Sequence, residues 1–164
     1  MEIANLTKRM VQYYGKNPTD THHFMGVYAF SVIIAKGEKV DKETMDIIET
    51  AAVIHDIACP LCREKYGDVN GKHQEIESPA LVREFLKDFG CSRDFIDRIA
   101  FLIGHHHTPD GIDGIDYQIL IEADFFVNAS ESNFSKVSIE NAKSRIFKTA
   151  AGCRLLESIF LREE

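Results

Sequence analysis

Apolar residues recur three or four positions apart along nearly the whole chain, and this spacing limits the fold more than any other feature. Ile3, Leu6 and Met10 show it at the start of the sequence. Such spacing places apolar side chains on one face of an α-helix. No segment shows the alternation of a half-buried strand, and no internal repeat is present. We therefore predict an all-α fold of about seven to eight helices, with a core at about residues 18–130 and flanking terminal helices.

Residues with capping and helix-starting preferences predict where these helices begin. The predicted starts are at Asn17-Pro18, Asp41, Ser78-Pro79, Ser92, Ser138 and Thr149. Residues 59–77 contain Gly67, Asn70 and Gly71, and we predict a long irregular loop there. A loop of that length is a candidate lid or substrate loop.

The composition suits one globular domain, residues 1–164, with a sizeable core, because 45% of the 164 residues are hydrophobic. The net charge of -7 argues against broad binding to nucleic acids or anionic membranes, although a local basic pocket could hold a phosphate. No apolar run approaches the roughly 20 residues of a membrane helix. The first residues lack the pattern of a signal peptide. We therefore expect a cytoplasmic protein.

The four cysteines are expected to be free thiols in a reducing compartment. Cys59 and Cys62 have the spacing of a redox or zinc motif, but no second Cys-x-x-Cys accompanies them. We interpret them as structural or incidental.

The pair His55-Asp56 ends the apolar run at residues 50–54, and Pro60 follows shortly after. A proline favours a helix end there, where the backbone could turn both side chains inward as ligands of one divalent metal. The simpler interpretation is that Asp56 caps the next turn and His55 is a hydrogen-bonded core histidine. The pair alone does not decide between the two.

Two further polar residues lie on predicted apolar faces. His23 shares a helix face with Val27, and Asp124 occupies a position that otherwise has a core pattern. His22 should face about 100° away from His23 and lie at the surface. Two imidazoles and two carboxylates together suit a divalent Mn, Fe, Ni, Co or Zn ion, and the absence of a cysteine ligand disfavours a structural zinc site.

This ordered set resembles the HD superfamily of metal-dependent phosphohydrolases, whose pattern is a histidine, an adjacent His-Asp pair and a later aspartate on separate helices. The resemblance extends from about His23 to Asn128 in an all-helical chain. It implies that the metal ligands are His23, His55, Asp56 and Asp124.

Some HD proteins hold two metals and use further histidines between the pair and the last aspartate. In this chain His73 and the run at residues 105–107 fall in that interval. His73, His106 and His107 are therefore candidates for a second metal or for substrate, and we expect His105 to face elsewhere. The alternative for the run is an exposed polar helix end, where histidine is favourable anyway.

The resemblance implies a metal-dependent phosphohydrolase for a small phosphorylated metabolite, with a nucleotide as the favoured candidate. Asp56 could bind metal and orient the attacking water. Lys65 and Lys72 could neutralise a phosphate, or they could be ordinary solvated lysines. The alternatives are an HD-type di-iron oxygenase and a non-catalytic metal-containing module that binds a ligand. The sequence leaves a homo-oligomer open.

Overall fold

The computed structural model describes residues 2–162, and their regular structure is entirely helical. The predicted all-α class is confirmed, and no strand occurs among the described residues. The apolar spacing predicts a first helix from Met1 to Tyr14, and Met1 lies outside the described residues. No helix among them is long and apolar enough to cross a membrane. The α-helices are α1 Ile3–Tyr14, α2 Pro18–Glu38, α3 Lys42–Ile54, α4 Cys59–Tyr66, α5 Gly71–Leu86, α6 Arg93–Ile103, α7 Ile115–Glu131, α8 Lys136–Arg145 and α9 Ala150–Leu156, with a 3-10 turn at Lys87–Phe89 and a π-helical turn at Glu157–Leu161.

Most of the predicted helix starts are confirmed by capping hydrogen bonds. The side chains of Asn17, Asp41 and Ser92 each accept a hydrogen bond from a backbone N–H in the first turn of α2, α3 and α6. The predicted cap at Ser138 is wrong. Ser135 is the N-cap of α8, and its hydroxyl accepts from the N–H of Ser138 at 3.2 Å. Both serines have capping preference, so the sequence alone did not separate them.

The predicted loop at residues 59–77 is also wrong, because α4 and the first part of α5 occupy it. Pro60 lies in the first turn of α4, where its missing N–H leaves no helical hydrogen bond unmade. Gly67 ends α4 with φ +77°, a conformation that glycine adopts without strain. Asn70 then caps α5, which begins at Gly71 and continues through Pro79, so the predicted helix start at Ser78-Pro79 is wrong. The predicted lid is therefore a short connection between two helices.

Helices α2, α3 and α7 pack against one another at the centre of the molecule. α5 packs on α6, α1 packs on α3, and α9 covers α2. A stacked aromatic pair, Phe30 on α2 and Phe126 on α7, has ring centroids 4.7 Å apart. Because α7 runs through the core, its polar residues need partners inside the protein.

The turn after α3 is held by hydrogen bonds to the carbonyl oxygen of Asp56. The hydroxyl of Tyr14 on α1 donates to this oxygen at 2.9 Å, and the N–H of Cys59 donates at 2.9 Å. The helix thus ends at Ile54, and the backbone of the His-Asp pair is fixed from two directions.

A fully buried carboxylate, Glu122 on α7, holds the segment between α8 and α9. It accepts hydrogen bonds from the N–H groups of Lys148 and Thr149 at 2.7 and 2.9 Å, and from the Thr149 hydroxyl at 2.5 Å. The Gln118 amide donates to it at 2.7 Å. A Cβ at Gly152 would lie 2.0 Å from its Oε2 atom, so only glycine fits there.

We expect Glu122→Gln to lower the free energy of unfolding by about 2 kcal/mol, because the amide NH2 would face hydrogen-bond donors and a charge-assisted network would be lost. Denaturant unfolding of both proteins would measure this. Glu140→Gln, at an exposed position on α8, is the matched control and should change stability by less than about 0.5 kcal/mol. Equal losses in the two variants would contradict the assigned role of Glu122.

Candidate metal centre

Imidazole and carboxylate atoms from α2, α7 and the turn after α3 converge at one point between these helices. The Nε2 atoms of His23 and His55 lie 3.2 Å apart. Each lies 3.6 Å from Oδ2 of Asp56, and Oδ1 of Asp124 lies 3.2 Å from the His23 nitrogen and 3.6 Å from the His55 nitrogen. The four side chains predicted as ligands are therefore brought together.

The three inward-facing histidines are oriented by acceptors on their outer nitrogens. Nδ1 of His55 lies 2.9 Å from the carbonyl oxygen of Ala52, and Nδ1 of His106 lies 2.8 Å from that of Ile103. Nδ1 of His23 lies 3.1 Å from the carboxylate of Glu131. A proton on each Nδ1 satisfies these acceptors and leaves the Nε2 lone pair directed at the centre, as metal-binding imidazoles require.

The carboxylates are strongly acidic. Burial alone would raise the pKa of Asp56, but the electrostatic interactions with His55 and His106 lower it well below its usual range. Burial likewise opposes ionisation of Asp124, whereas its interactions with His23 and His55 lower the pKa. Burial disfavours protonated His23, yet the hydrogen bond to Asp124 and the charge of Asp56 outweigh it and raise the pKa to about 9. The cluster is therefore a site that attracts positive charge.

A second group of candidate ligands shares Asp56. Ligand atoms of Asp56, His106 and His107 lie within 4.8 Å of one another, and Oδ1 of Asp56 lies 3.4 Å from Nε2 of His106. The buried Nε2 atom of His106 has no hydrogen-bond partner among the described residues. Gly71 packs against the His107 ring, where an added Cβ would come within 2.6 Å. His106 and His107 thus lie beside Asp56, and their role as ligands of a second metal or of substrate stays a prediction. His105 is exposed, and its Nδ1 atom lies 2.7 Å from the carbonyl oxygen of Phe101.

The first group fits a divalent ion. Two atoms bound to one ion at about 2.1 Å lie about 3.0–3.4 Å apart in octahedral or tetrahedral geometry. The observed separations of 3.2–3.6 Å between Nε2 and carboxylate oxygen atoms are close to this range. The mixture of nitrogen and oxygen donors suits Mn, Fe, Ni, Co or Zn. His23, His55 and Asp56 form a compact potential ligand set, and Asp124 approaches the same two imidazoles.

A cleft of about 240 Å³ opens over this cluster. Among the described residues that line it, Arg63 is the only lysine or arginine. Its guanidinium binds the Asp20 carboxylate through two hydrogen bonds of 2.6 and 2.7 Å, and its side chain is 43% exposed. We call this space the Arg63 cleft. A fixed guanidinium beside a metal site has the geometry and charge to receive an oxyanion.

The structure does not bring three of the predicted residues into the cleft. His73 lies outside, with Nδ1 3.0 Å from Oδ1 of Asp68 and its ring stacked on Tyr66 at 3.9 Å. Lys65 is paired with Glu77 at 2.5 Å, and the Lys72 side chain is exposed away from the lining. The physical reason is that α4 and α5 are helical here, which points these side chains away from the ligands.

Eight residues that line the Arg63 cleft were not predicted as part of the site: Thr19, Asp20, Cys59, Arg63, Val69, Gln74, Asn128 and Glu131. Asn128 and Glu131 follow Asp124 by four and seven positions on α7, which puts them on one helix face. Asn128 donates a 2.8 Å hydrogen bond to Asp124. That spacing could have revealed both residues, whereas the pairing of Arg63 with Asp20 has no local sequence signal.

Cys59 and Cys62 are buried free thiols. Burial, and secondarily the charge of Asp56, raises the pKa of Cys59 far above its usual range. A neutral thiol is a poor nucleophile and a poor metal ligand. The interpretation of the pair as structural is consistent with these surroundings.

The HD domain family model matches residues 21–146 of the chain. A crystal structure of a predicted HD superfamily hydrolase from an uncultured Thermotogales bacterium is similar, with a TM-score of 0.65 and 23% sequence identity. The likeness covers 95% of this chain and 82% of that one, and it supports the fold. A comparison with curated proteins gave no match.

We expect removal of bound metal by a chelator to lower the melting temperature by about 5–10 °C, because an ion that binds only the folded state stabilises it and relieves the repulsion of two buried carboxylates. Re-addition of Mn or Co should restore the melting temperature. His22 lies on the exposed side of α2, so metal removal should lower the melting temperature of His22→Ala as much as that of the unaltered protein. Asp124→Asn lacks a ligand, so metal removal should change its melting temperature only slightly. Identical melting curves before and after verified metal removal would contradict this expectation.

Proposed function

Because the chain belongs to the HD domain family, we propose that it is a metal-dependent phosphohydrolase for a small phosphorylated metabolite, with nucleotides as the first substrates to test. The observation that carries the proposal is the convergence of the inward Nε2 atoms with Asp56 and Asp124. The negative charge of the whole chain favours a small-molecule partner over a nucleic-acid polymer.

A divalent ion held by His23, His55, Asp56 and Asp124 would lower the pKa of water and polarise a phosphoryl oxygen. The ionised Asp56 carboxylate can orient the attacking water and accept its hydrogen bond. Asn128 keeps the Asp124 carboxylate in one orientation through its 2.8 Å hydrogen bond. The outer acceptors of the histidines keep the imidazoles from rotating away.

Arg63 is the proposed phosphate-binding residue in place of Lys65 and Lys72. Its two bonds to Asp20 use one N–H on each terminal nitrogen, and a guanidinium carries five such donors. The remaining donors can bind phosphate oxygens without breaking the pair. Asp20 thus holds the guanidinium of Arg63 at the cleft. There the guanidinium offsets the negative charge of the phosphate, which the surrounding carboxylates repel.

A di-iron oxygenase is a second candidate, because Asp56 is shared between the two ligand groups. A shared carboxylate with histidines on both sides could hold two ions. Ultraviolet-visible or Mössbauer spectra of anaerobically purified protein would decide: a coupled di-iron signal favours this candidate, and a single colourless metal counts against it. Binding of metal without turnover of any compound in a nucleotide panel with Mn, Co or Ni would favour a non-catalytic ligand-binding module.

We expect Asp56→Asn to reduce the rate of hydrolysis by about 100-fold or more, because the substitution keeps the shape but removes the charge that binds metal and orients water. Initial rates on the best nucleotide should be measured together with the metal content of each variant. His22→Ala is the control and should retain the full rate. Full turnover by metal-loaded Asp56→Asn would show that the proposed mechanism is wrong.

We expect Arg63→Ala to raise KM for a phosphorylated substrate by about tenfold or more, since a charge-assisted hydrogen bond contributes roughly 1.5–3 kcal/mol. Arg63→Ala alone leaves the buried Asp20 carboxylate without its partner, which lowers stability as well as substrate binding. The double variant Asp20→Asn/Arg63→Ala removes that unpaired charge, so its KM reports the loss of substrate binding. Lys72→Ala is the matched control, because its side chain lies outside the cleft, and its KM should be unchanged. A KM that rises only with Lys72→Ala would restore the prediction made from the sequence.

A further inference from the structure

A second cleft, of about 310 Å³, adjoins the candidate metal centre. It differs from the Arg63 cleft in its lining, which is largely apolar. The apolar side chains are Pro109, Ile121, Phe125, Phe134 and Ile146. We call this space the apolar cleft.

The two clefts meet at the metal centre, because His107, Asp124 and Asn128 line both of them. A compound whose phosphate lies over the ligand cluster and contacts Arg63 would therefore extend its other end toward the apolar cleft. The distribution of charge supports this orientation. Among the described residues that line the apolar cleft there is no lysine or arginine, so a phosphate has no cationic partner on that side.

Aromatic side chains form one wall of the apolar cleft. The ring of Phe125 packs edge-on against Phe147, with centroids 5.4 Å apart, and Phe147 is buried. Phe134 packs against Phe125 at 5.7 Å but remains 41% exposed. The backbone N–H of Phe134 donates to Ala129 at 3.0 Å, which fixes this residue just beyond α7. A preformed wall with an exposed aromatic ring gains free energy when an apolar group covers it.

Few polar groups are available in the apolar cleft to recognise a ligand by hydrogen bonds. Apart from the candidate metal ligands, the polar side chains in its lining are Asn128 and Ser132. The Asn128 amide already donates to Asp124. Recognition there would therefore depend on apolar contact and ring stacking, which do not distinguish one planar base from another.

We propose that the substrate is a phosphomonoester whose non-phosphate part has an apolar face and occupies the apolar cleft. This inference rests on the proposed hydrolase function. Water adds its oxygen to phosphorus, the P–O ester bond breaks, and the leaving oxygen takes up a proton. Inorganic phosphate remains on the Arg63 side, and the alcohol leaves from the apolar cleft. A planar nucleoside or an alkyl chain would supply the same apolar face.

The test compares substrates of similar intrinsic reactivity on the full, metal-loaded chain. Ethyl, butyl, hexyl and benzyl phosphates form a series of increasing apolar area, and glycerol 3-phosphate is the polar reference. We expect kcat/KM to rise by about fourfold for each methylene that enters the apolar cleft. Nucleoside 5′-monophosphates form a second set of substrates. If their kcat/KM values exceed those of the alkyl phosphates and differ little among the bases, a planar base is the natural occupant of the apolar cleft.

Phe134→Ala should reduce kcat/KM for hexyl and benzyl phosphate by about tenfold and leave the value for ethyl phosphate unchanged. Phe101→Ala is the matched control, because Phe101 is a similarly exposed phenylalanine, 37% exposed, outside both clefts. A flat alkyl series, or equal effects of the two variants, would overturn the inference.

A binding measurement separates this inference from the proposed hydrolase function. Methyl- and hexylphosphonate cannot be hydrolysed, so calorimetry on the metal-loaded chain reports the clefts alone. Tighter binding of hexylphosphonate that is lost in Phe134→Ala supports the apolar subsite even if no phosphoester is hydrolysed. Equal affinities for the two phosphonates would overturn it even if hydrolysis is found.

Discussion

Two carboxylates meet the same pair of imidazoles inside a helical core, and this concentration of negative charge constrains the rest of the structure. Asp56 and Asp124 both contact His23 and His55, and the two histidines are buried. Ionised carboxylates in such a place repel each other and are poorly hydrated. The arrangement is favourable only when positive charge lies among them, as a proton on His23 or as a metal ion.

The helical framework holds these groups by packing. α2, α3 and α7 are in mutual contact, and the ligands lie on α2, on α7 and in the turn after α3. The chain turns sharply after Ile54 because Tyr14 and Cys59 both donate to the carbonyl oxygen of Asp56. Gly104 allows a second turn to lie close to Pro79 on α5, since a Cβ there would come within 2.9 Å of the proline ring. These two turns place the shared carboxylate between the histidine groups.

Helical spacing predicted that His23, His55 and Asp124 face the core, because the other residues on each helix face are apolar. Their role as metal ligands, together with Asp56, was implied by the resemblance to the HD superfamily and not by spacing. Helix caps gave most of the helix boundaries. His73 was misplaced because α5 begins at Gly71 and not at Ser78, and each residue of a helix turns the side chain by about 100°. Glu122 could not be predicted, since its partners are backbone N–H groups 26 and 27 residues further along the chain.

The hydrogen bonds of Gln118 affect which parts of the two clefts can change their sequence independently. Its amide donates to Glu122 and to the carbonyl oxygen of Ile146, which lines the apolar cleft. The wall formed by Ile146 is thus attached to α7 by polar bonds that do not involve the metal ligands. Substitutions in the segment after α8 could reshape this wall while leaving the ligand geometry of α2, α3 and α7 intact. If the proposed hydrolase function holds, selectivity for a leaving group can change by natural variation without a change in the metal ligands.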